Sequence, residues 1–192
     1  MQTVDKALTP AARRVLDVAG KLFYDNGIHA VGVEWIAAEA GVTKKTLYDR
    51  FGSKDTLVAR YLRQRDERWR EHVRDIVERG RTTAPERRLL LVFDALEAWM
   101  DQVNPRGCAF VNAHAELPDG DHPGRQVITE QKQWLLDYLN ALAREAEIRN
   151  PRRLAEELVV LLEGATVVRT AGVVPAAIAA AKRAARKLIA DA

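Results

Sequence analysis

Within the stretch Thr43 to Lys54, the side chains of Thr43, Lys44, Lys45, Thr46, Tyr48 and Lys54 offer hydroxyl, ammonium and phenol donors close together. Lys44, Lys45, Arg50 and Lys54 face only two acids, Asp49 and Asp55. Donors and cations grouped this way suit the phosphate-lined major groove of a duplex. Other chemistries find weaker footing. His114 and Glu116, with His122, suggest a metal site, but two residues two apart on a helix point in different directions, and helical metal pairs are spaced three or four. Cys108 is the single cysteine, which rules out an intramolecular disulfide framework and a cysteine-based zinc site and reads as a small buried hydrophobe. There is no phosphate-cradling glycine loop, no Ser-His-Asp order and no dinucleotide fingerprint. The sequence therefore argues against an enzyme and implies no cofactor and no metal.

The donors need a frame, and the residues around them supply one. A short helix ends at Gly41, a tight turn runs through Val42 and Thr43, and a second short helix runs from Lys44 to Phe51, where Gly52 stops it. Gly41 suits the left-handed residue of the turn, and Thr43 caps the next helix with its hydroxyl. Ile36, Ala37, Ala40, Val42, Leu47 and Phe51 are set to face inward, leaving Lys44, Lys45, Thr46, Tyr48, Asp49 and Arg50 to solvent. This is a helix-turn-helix.

The rest of the chain reads as helix after helix. Met1 to Leu8, including Lys6, lacks periodicity and is expected to be a mobile arm. Thr9 and Pro10 open a helix whose Val15, Ala19, Leu22 and Phe23 form one stripe, and Asn26-Gly27 closes it. Gly32 is an acceptable but weak cap for the next helix. Val33 and Glu34 receive no DNA contact, because valine cannot hydrogen-bond through its side chain and glutamate repels phosphate unless it reads a cytosine amine. Ser53 is expected to cap a long helix from Lys54 to about Glu78. Its Arg60, Arg63, Arg65, Arg68, Arg70 and Arg74 form a solvated face, with Asp66 and Arg70 at ion-pair spacing.

Beyond a break at Gly80 to Ala84, Thr83-Ala84-Pro85-Glu86 matches a capping box, followed by a broad apolar stripe from Leu89 to Val103. Further helices are expected from Gly107 to Pro118, from roughly Arg125 to Ala146, from Asn150-Pro151 to Gly172, and from Pro175 to Ile189. A polar loop spans Asp119 to Gly124. Gly164 and the alanines at 176, 177, 179, 180, 181, 184 and 185 leave small faces on the last two helices.

Composition agrees with an all-α protein. Of 192 residues, 47% are hydrophobic, enough for a buried core. Net charge is +3, and residues 1 to 55 carry eight Lys/Arg against seven Asp/Glu. Basicity is therefore local rather than global. No signal peptide and no apolar run of membrane-spanning length is visible, so a cytoplasmic location with no membrane partner is expected.

Gly27, Ile36-Ala37, Ala40-Gly41-Val42-Thr43, Thr46-Leu47-Tyr48, Phe51, Ser53-Lys54 and Leu57 closely resemble the DNA-binding region of the TetR/AcrR family of transcriptional regulators. The run Gly107-Cys108 through Asn112 to Glu116-Leu117 also resembles a helix found in one subset of them. The resemblance implies an all-α fold of about nine helices: a helix-turn-helix DNA-binding domain over residues 1–55, and a ligand-binding and dimerisation domain over 56–192. It implies base reading by Lys44 and Lys45, phosphate contact by Thr43, Tyr48 and Lys54, and either role for Thr46. It further implies a homodimer through residues about 151–190 and a repressor released from a palindromic double-stranded DNA operator by a small-molecule effector. A largely apolar effector is expected among the fifth to seventh helices, with Trp99, Phe110, Trp134 and Tyr138 as walls and Asn112 and His114 orienting a polar group. The competing reading is a helical small-molecule-binding or processing protein with a vestigial helix-turn-helix.

The two kinds of contact are separable by measurement. Lys54→Ala should weaken binding to every duplex and reduce the salt slope by about 1, whereas Lys45→Ala should relax sequence preference. Unchanged affinity and slope for Lys54→Ala across several sites would remove Lys54 from the phosphate contacts.

Overall fold

Helix starts and stops follow local chemistry closely in this chain. The computed structural model describes residues 8–80, 84–117 and 120–192. Among them are α1 (Pro10–Asn26), α2 (Val33–Glu39), α3 (Lys44–Phe51), α4 (Lys54–Arg79), α5 (Pro85–Gln102), α6 (Ala109–Glu116), α7 (Pro123–Glu145), α8 (Pro151–Thr170) and α9 (Ala177–Ala190), and no strand. Thr9 Oγ1 accepts from Ala12 N–H at 3.3 Å, Thr43 Oγ1 from Thr46 N–H at 3.1 Å, and Ser53 Oγ from Thr56 N–H at 3.0 Å. Each bond satisfies an orphan amide of a first turn. Gly41 and Gly52 have φ of 64° and 73°, the left-handed conformation that ends α2 and α3.

Four starts differ from expectation, α6 beginning at Ala109 rather than Gly107 and α9 at Ala177 rather than Pro175. Helix α5 takes Ala84 as N-cap with no side-chain bond, so the capping-box register is displaced; Thr83, its proposed cap, lies outside the described residues. Helix α7 begins at Pro123 inside the expected polar loop, because proline is well suited to a first turn. Residues 1–7 of the expected arm, and Pro118 and Asp119, also lie outside the described residues.

The chain forms two compact units, residues 1–65 with 110–128, and residues 66–109 with 129–192. The expected division at 55/56 follows the motif, whereas the first unit adds the start of α4, nearly all of α6 and the first turns of α7. Its interior gathers Val15, Ala19 and Phe23 of α1, Ile36 of α2, Leu47 and Phe51 of α3, and Leu57 and Tyr61 of α4, all buried. Val42, expected inward, is half-buried. Helices α1 and α4 meet where Gly20 lies against Tyr61: a Cβ at Gly20 would sit 3.0 Å from the ring, and the Phe23 ring packs against the same ring at a tilt of 53°, with centroids 5.9 Å apart.

The α4 arginines are not uniformly solvated. Arg63, Arg68 and Arg74 are exposed, but Arg65 is 5% exposed, with its guanidinium 4.4 Å from the Tyr24 ring. Its planar cation is weakly hydrated enough to lie on an aromatic face.

The second unit is built on a continuous core that includes Val73, Leu89, Phe93, Leu139, Leu158 and Ile178. Helix α9 buries Ala177, Ala181 and Ala185 within this unit, so part of its small-residue face is already used. The Asp66–Arg70 pair forms at 2.5 Å, as its spacing predicts. Lys132 Nζ lies 2.6 Å from Glu163 and 3.7 Å from Cys108 Sγ. Burial pulls the Lys132 ammonium down, but Cys108 and Glu163 outweigh it and hold its pKa above the usual lysine range.

Thr43→Ala removes the α3 cap and should cost about 1 kcal/mol, a fall of roughly 2–4 °C in Tm for a protein of this size, checked by thermal melting. Thr43→Ser should match the parent.

Candidate nucleic-acid interface

An eight-residue helix does not hold itself in water, so the face that α3 presents is set by what it buries. Leu47 is fully buried and Phe51 nearly so. Lys44, Lys45, Tyr48, Asp49 and Arg50 are left exposed and Thr46 half-buried. Arg14 Nε of α1 donates to the carbonyl of Ala40 at 2.9 Å. That bond satisfies an orphan carbonyl at the end of α2 and places a cation at the negative end of its dipole.

Within this face the candidates differ in how free they are. Thr43 Oγ1 and Thr46 Oγ1 lie 2.9 Å apart, so one hydroxyl donates to the other while Thr43 also caps the helix. Lys44 Nζ is 2.5 Å from Glu34 Oε1, bridging the first turns of α3 and α2. The hydrogen bond to Lys44 holds the Glu34 carboxyl below the usual carboxylate range, and the same bond raises the Lys44 ammonium. Both are therefore charged at neutral pH. The pair persists until pH falls through the lowered Glu34 value, where the carboxylate protonates and its contribution is lost. Lys54 is half-buried in the first turn of α4.

Trp35 was not singled out from the sequence, yet it is 43% exposed, close to the 42% of Tyr48. Its position off the buried Val33–Ile36–Ala37 stripe is the one sequence signal of that exposure.

The six residues expected to line an effector pocket are not one cluster within either unit. Phe110, Asn112 and His114 belong to the first unit; Trp99, Trp134 and Tyr138 belong to the second. Asn112 and His114 are exposed, because their spacing on α6 puts them off the Phe110–Ala113–Leu117 stripe that is buried. His114 Nδ1 lies 3.1 Å from Arg125 Nη1. Trp134 and Tyr138 are half-buried and stack on each other at 5.1 Å. The guanidinium groups of Arg70 and Arg74 lie 5.1 and 5.6 Å from the Trp134 ring. Burial keeps the Tyr138 phenol above the ordinary tyrosine value. Trp99 lies instead in a buried aromatic group with Trp69, at 5.6 Å, and His72, at 5.2 Å. The Nε1 of Trp69 and the Oε1 of Gln131 are buried without a hydrogen-bond partner among the described residues.

No group of three or more potential metal ligands occurs among the described residues, and none of the described helices is long and apolar enough to cross a membrane.

Comparison with known proteins agrees with this geometry. The profile of the family described as bacterial regulatory proteins, tetR family, matches residues 15–61, and that of the tetracyclin repressor-like C-terminal domain matches residues 85–185. The chain is 28% identical over 153 residues to the HTH-type transcriptional regulator YjdC of Escherichia coli, covering 78% of each protein. It is 36% identical over 88 residues to the HTH-type transcriptional activator FasR of Mycolicibacterium smegmatis, covering 46% of this chain and 38% of that protein. The crystal structure of a TetR-family transcriptional regulator from Streptomyces coelicolor superposes with a TM-score of 0.85 at 32% identity, covering 94% of this chain and 95% of that one.

Because Glu34 neutralises a cation of the reading face, Glu34→Gln should tighten binding to any duplex about 3- to 10-fold at 0.1 M salt and steepen the salt slope by about 0.9. A change confined to sites carrying cytosine at one position would instead identify Glu34 as a base reader.

Proposed function

The chain belongs to the TetR family of DNA-binding transcriptional regulators, and from that premise we propose that it is a homodimeric repressor, released from a near-palindromic operator by a small-molecule effector. The observation that carries the reading is the α3 face, where a fully buried Leu47 leaves Lys45, Tyr48 and Arg50 outward together. In this reading Lys44 and Lys45 read bases, Thr43, Tyr48 and Lys54 contact phosphate, and Thr46 serves either purpose.

A distribution of exposed valines supports assembly through α8. Val160, Val167, Val168, Val173 and Val174 are five of the eight large apolar side chains exposed among the described residues. On α8 and its C-cap, Val160, Gly164, Val167, Val168 and Ala171 recur at helical spacing on one exposed stripe. A Cβ at Gly164 would meet nothing within 4 Å, so another helix can approach closely there. A stripe of this composition left in water is the mark of an interaction surface. Two-fold pairing would set two α3 helices about 34 Å apart, in successive major grooves.

The effector is assigned to the second unit, around Trp69, His72 and Trp99, with Trp134 and Tyr138 on a neighbouring face. An apolar molecule with one hydrogen-bonding group suits this setting, since Trp69 Nε1–H and Gln131 Oε1 are a buried donor and acceptor still to be satisfied. Asn112 and His114, exposed in the other unit, are left out of the site.

Selection from a random duplex pool should enrich an inverted repeat, and failure to enrich any sequence at low salt with folded protein would favour the vestigial reading. The Val160→Glu, Val167→Glu double variant should sediment as monomer and bind the selected operator on the order of 100-fold more weakly, because the second head no longer binds intramolecularly. A stable dimer with unchanged affinity would place the interface elsewhere.

A further inference from the structure

One sequence feature has no part in the reading helix or in the α8 stripe: the run ending in Glu116-Leu117. Glu116 holds His29 twice. Its carboxylate Oε2 accepts the His29 backbone N–H at 2.8 Å, and its backbone carbonyl accepts the His29 Nε2–H at 2.6 Å. Gly27, two residues earlier, has φ of +91°, and a Cβ there would lie 3.2 Å from both Glu116 carboxylate oxygens. The carboxylate thus fills space that a side chain at residue 27 would need.

A second grip lies six residues further along the chain, at His122. Its Nε2 is 3.4 Å from Asp55 Oδ1, and its Nδ1 accepts the Gly124 N–H at 3.0 Å. His29 lies just before α2 and Asp55 just after α3, so the two grips bracket the helix-turn-helix. All of these residues belong to the first unit. The chain enters α6 directly from Cys108 and Ala109, which belong to the second.

We propose that Glu116 and His122 form a clasp that fixes the tilt of the reading pair, with Glu116 a positioning residue for DNA recognition. The proposal rests on the DNA-binding reading above. Removing the carboxylate takes away one of the two bonds that hold His29 and loosens the α1–α2 connection, while leaving every donor on α3 in place. Specific binding, which needs the donors aimed at base edges, then suffers, while nonspecific binding, which needs only charge near phosphate, does not.

The test uses the full-length protein, the operator selected by the parent protein and a scrambled duplex of equal length. Glu116→Ala should weaken operator binding about tenfold, the loss expected of one charge-assisted hydrogen bond, with scrambled-duplex affinity and salt slope unchanged. Glu116→Gln, whose amide oxygen still accepts the His29 N–H, should stay within about threefold of the parent. Operator and scrambled affinities that fall together, or neither falling, would overturn the proposal. Should Glu116→Ala melt below the assay temperature, His29→Ala carries the same comparison: a selective loss supports the clasp and an unchanged operator affinity overturns it. Selection of no operator by the parent is a failure of the DNA-binding reading itself, is seen before any variant is made, and takes this proposal with it.

Discussion

The interface depends on the burial of Leu47 and Phe51. A helix of eight residues is too short to persist on its own, so α3 exists, and has a definite outer face, because those two side chains are taken into the core of the first unit. The same burial gives meaning to the neighbouring contacts. The Thr43 cap sets where α3 starts, the left-handed Gly41 sets the turn before it, and the Arg14 bond to Ala40 holds the end of α2. Loss of the apolar anchor would leave these bonds without a helix to organise.

Charge plays a more measured role than the cluster of lysines first suggests. The head region is close to neutral in total, and one of its outward lysines is already bridged to Glu34. A single head of this kind has few uncompensated cations with which to release counterions. Affinity therefore has to come from geometry and from repetition: base edges met by well-aimed donors, and a second head placed by the partner subunit in the proposed dimer. In that proposed dimer the exposed α8 valines would bear on DNA binding, although they lie in the other unit from α3.

Much of this was legible in the residues. Hydroxyl and proline starts, glycine stops and apolar spacing locate most helix ends within a residue or two, and the pattern around Gly41 identifies the turn by its chemistry. Less legible was which inward face meets which neighbour. Periodicity places Trp99 and Trp134 inward on their helices, but only packing shows that Trp99 joins Trp69 and His72 while Trp134 stacks on Tyr138. Polarity points Asn112 and His114 toward a pocket, while the structure leaves both exposed because α6 buries its Phe110–Ala113–Leu117 stripe. Charge argues for exposure of Arg65, and an aromatic partner forty-one residues earlier overrides that argument. The Glu116–His29 contact spans 87 residues of chain, a separation at which no local rule applies.

The central claim is that two copies of α3 read base edges in successive major grooves. Methylation interference at guanine N7 on the selected operator tests it most directly, since N7 lies on the major-groove edge. The account predicts two clusters of interfering positions related by the dyad and about one helical turn, roughly 10 base pairs, apart, each losing a position when Lys45 is replaced by alanine. A single unrepeated cluster, or interference only from adenine N3 methylation in the minor groove, would contradict it.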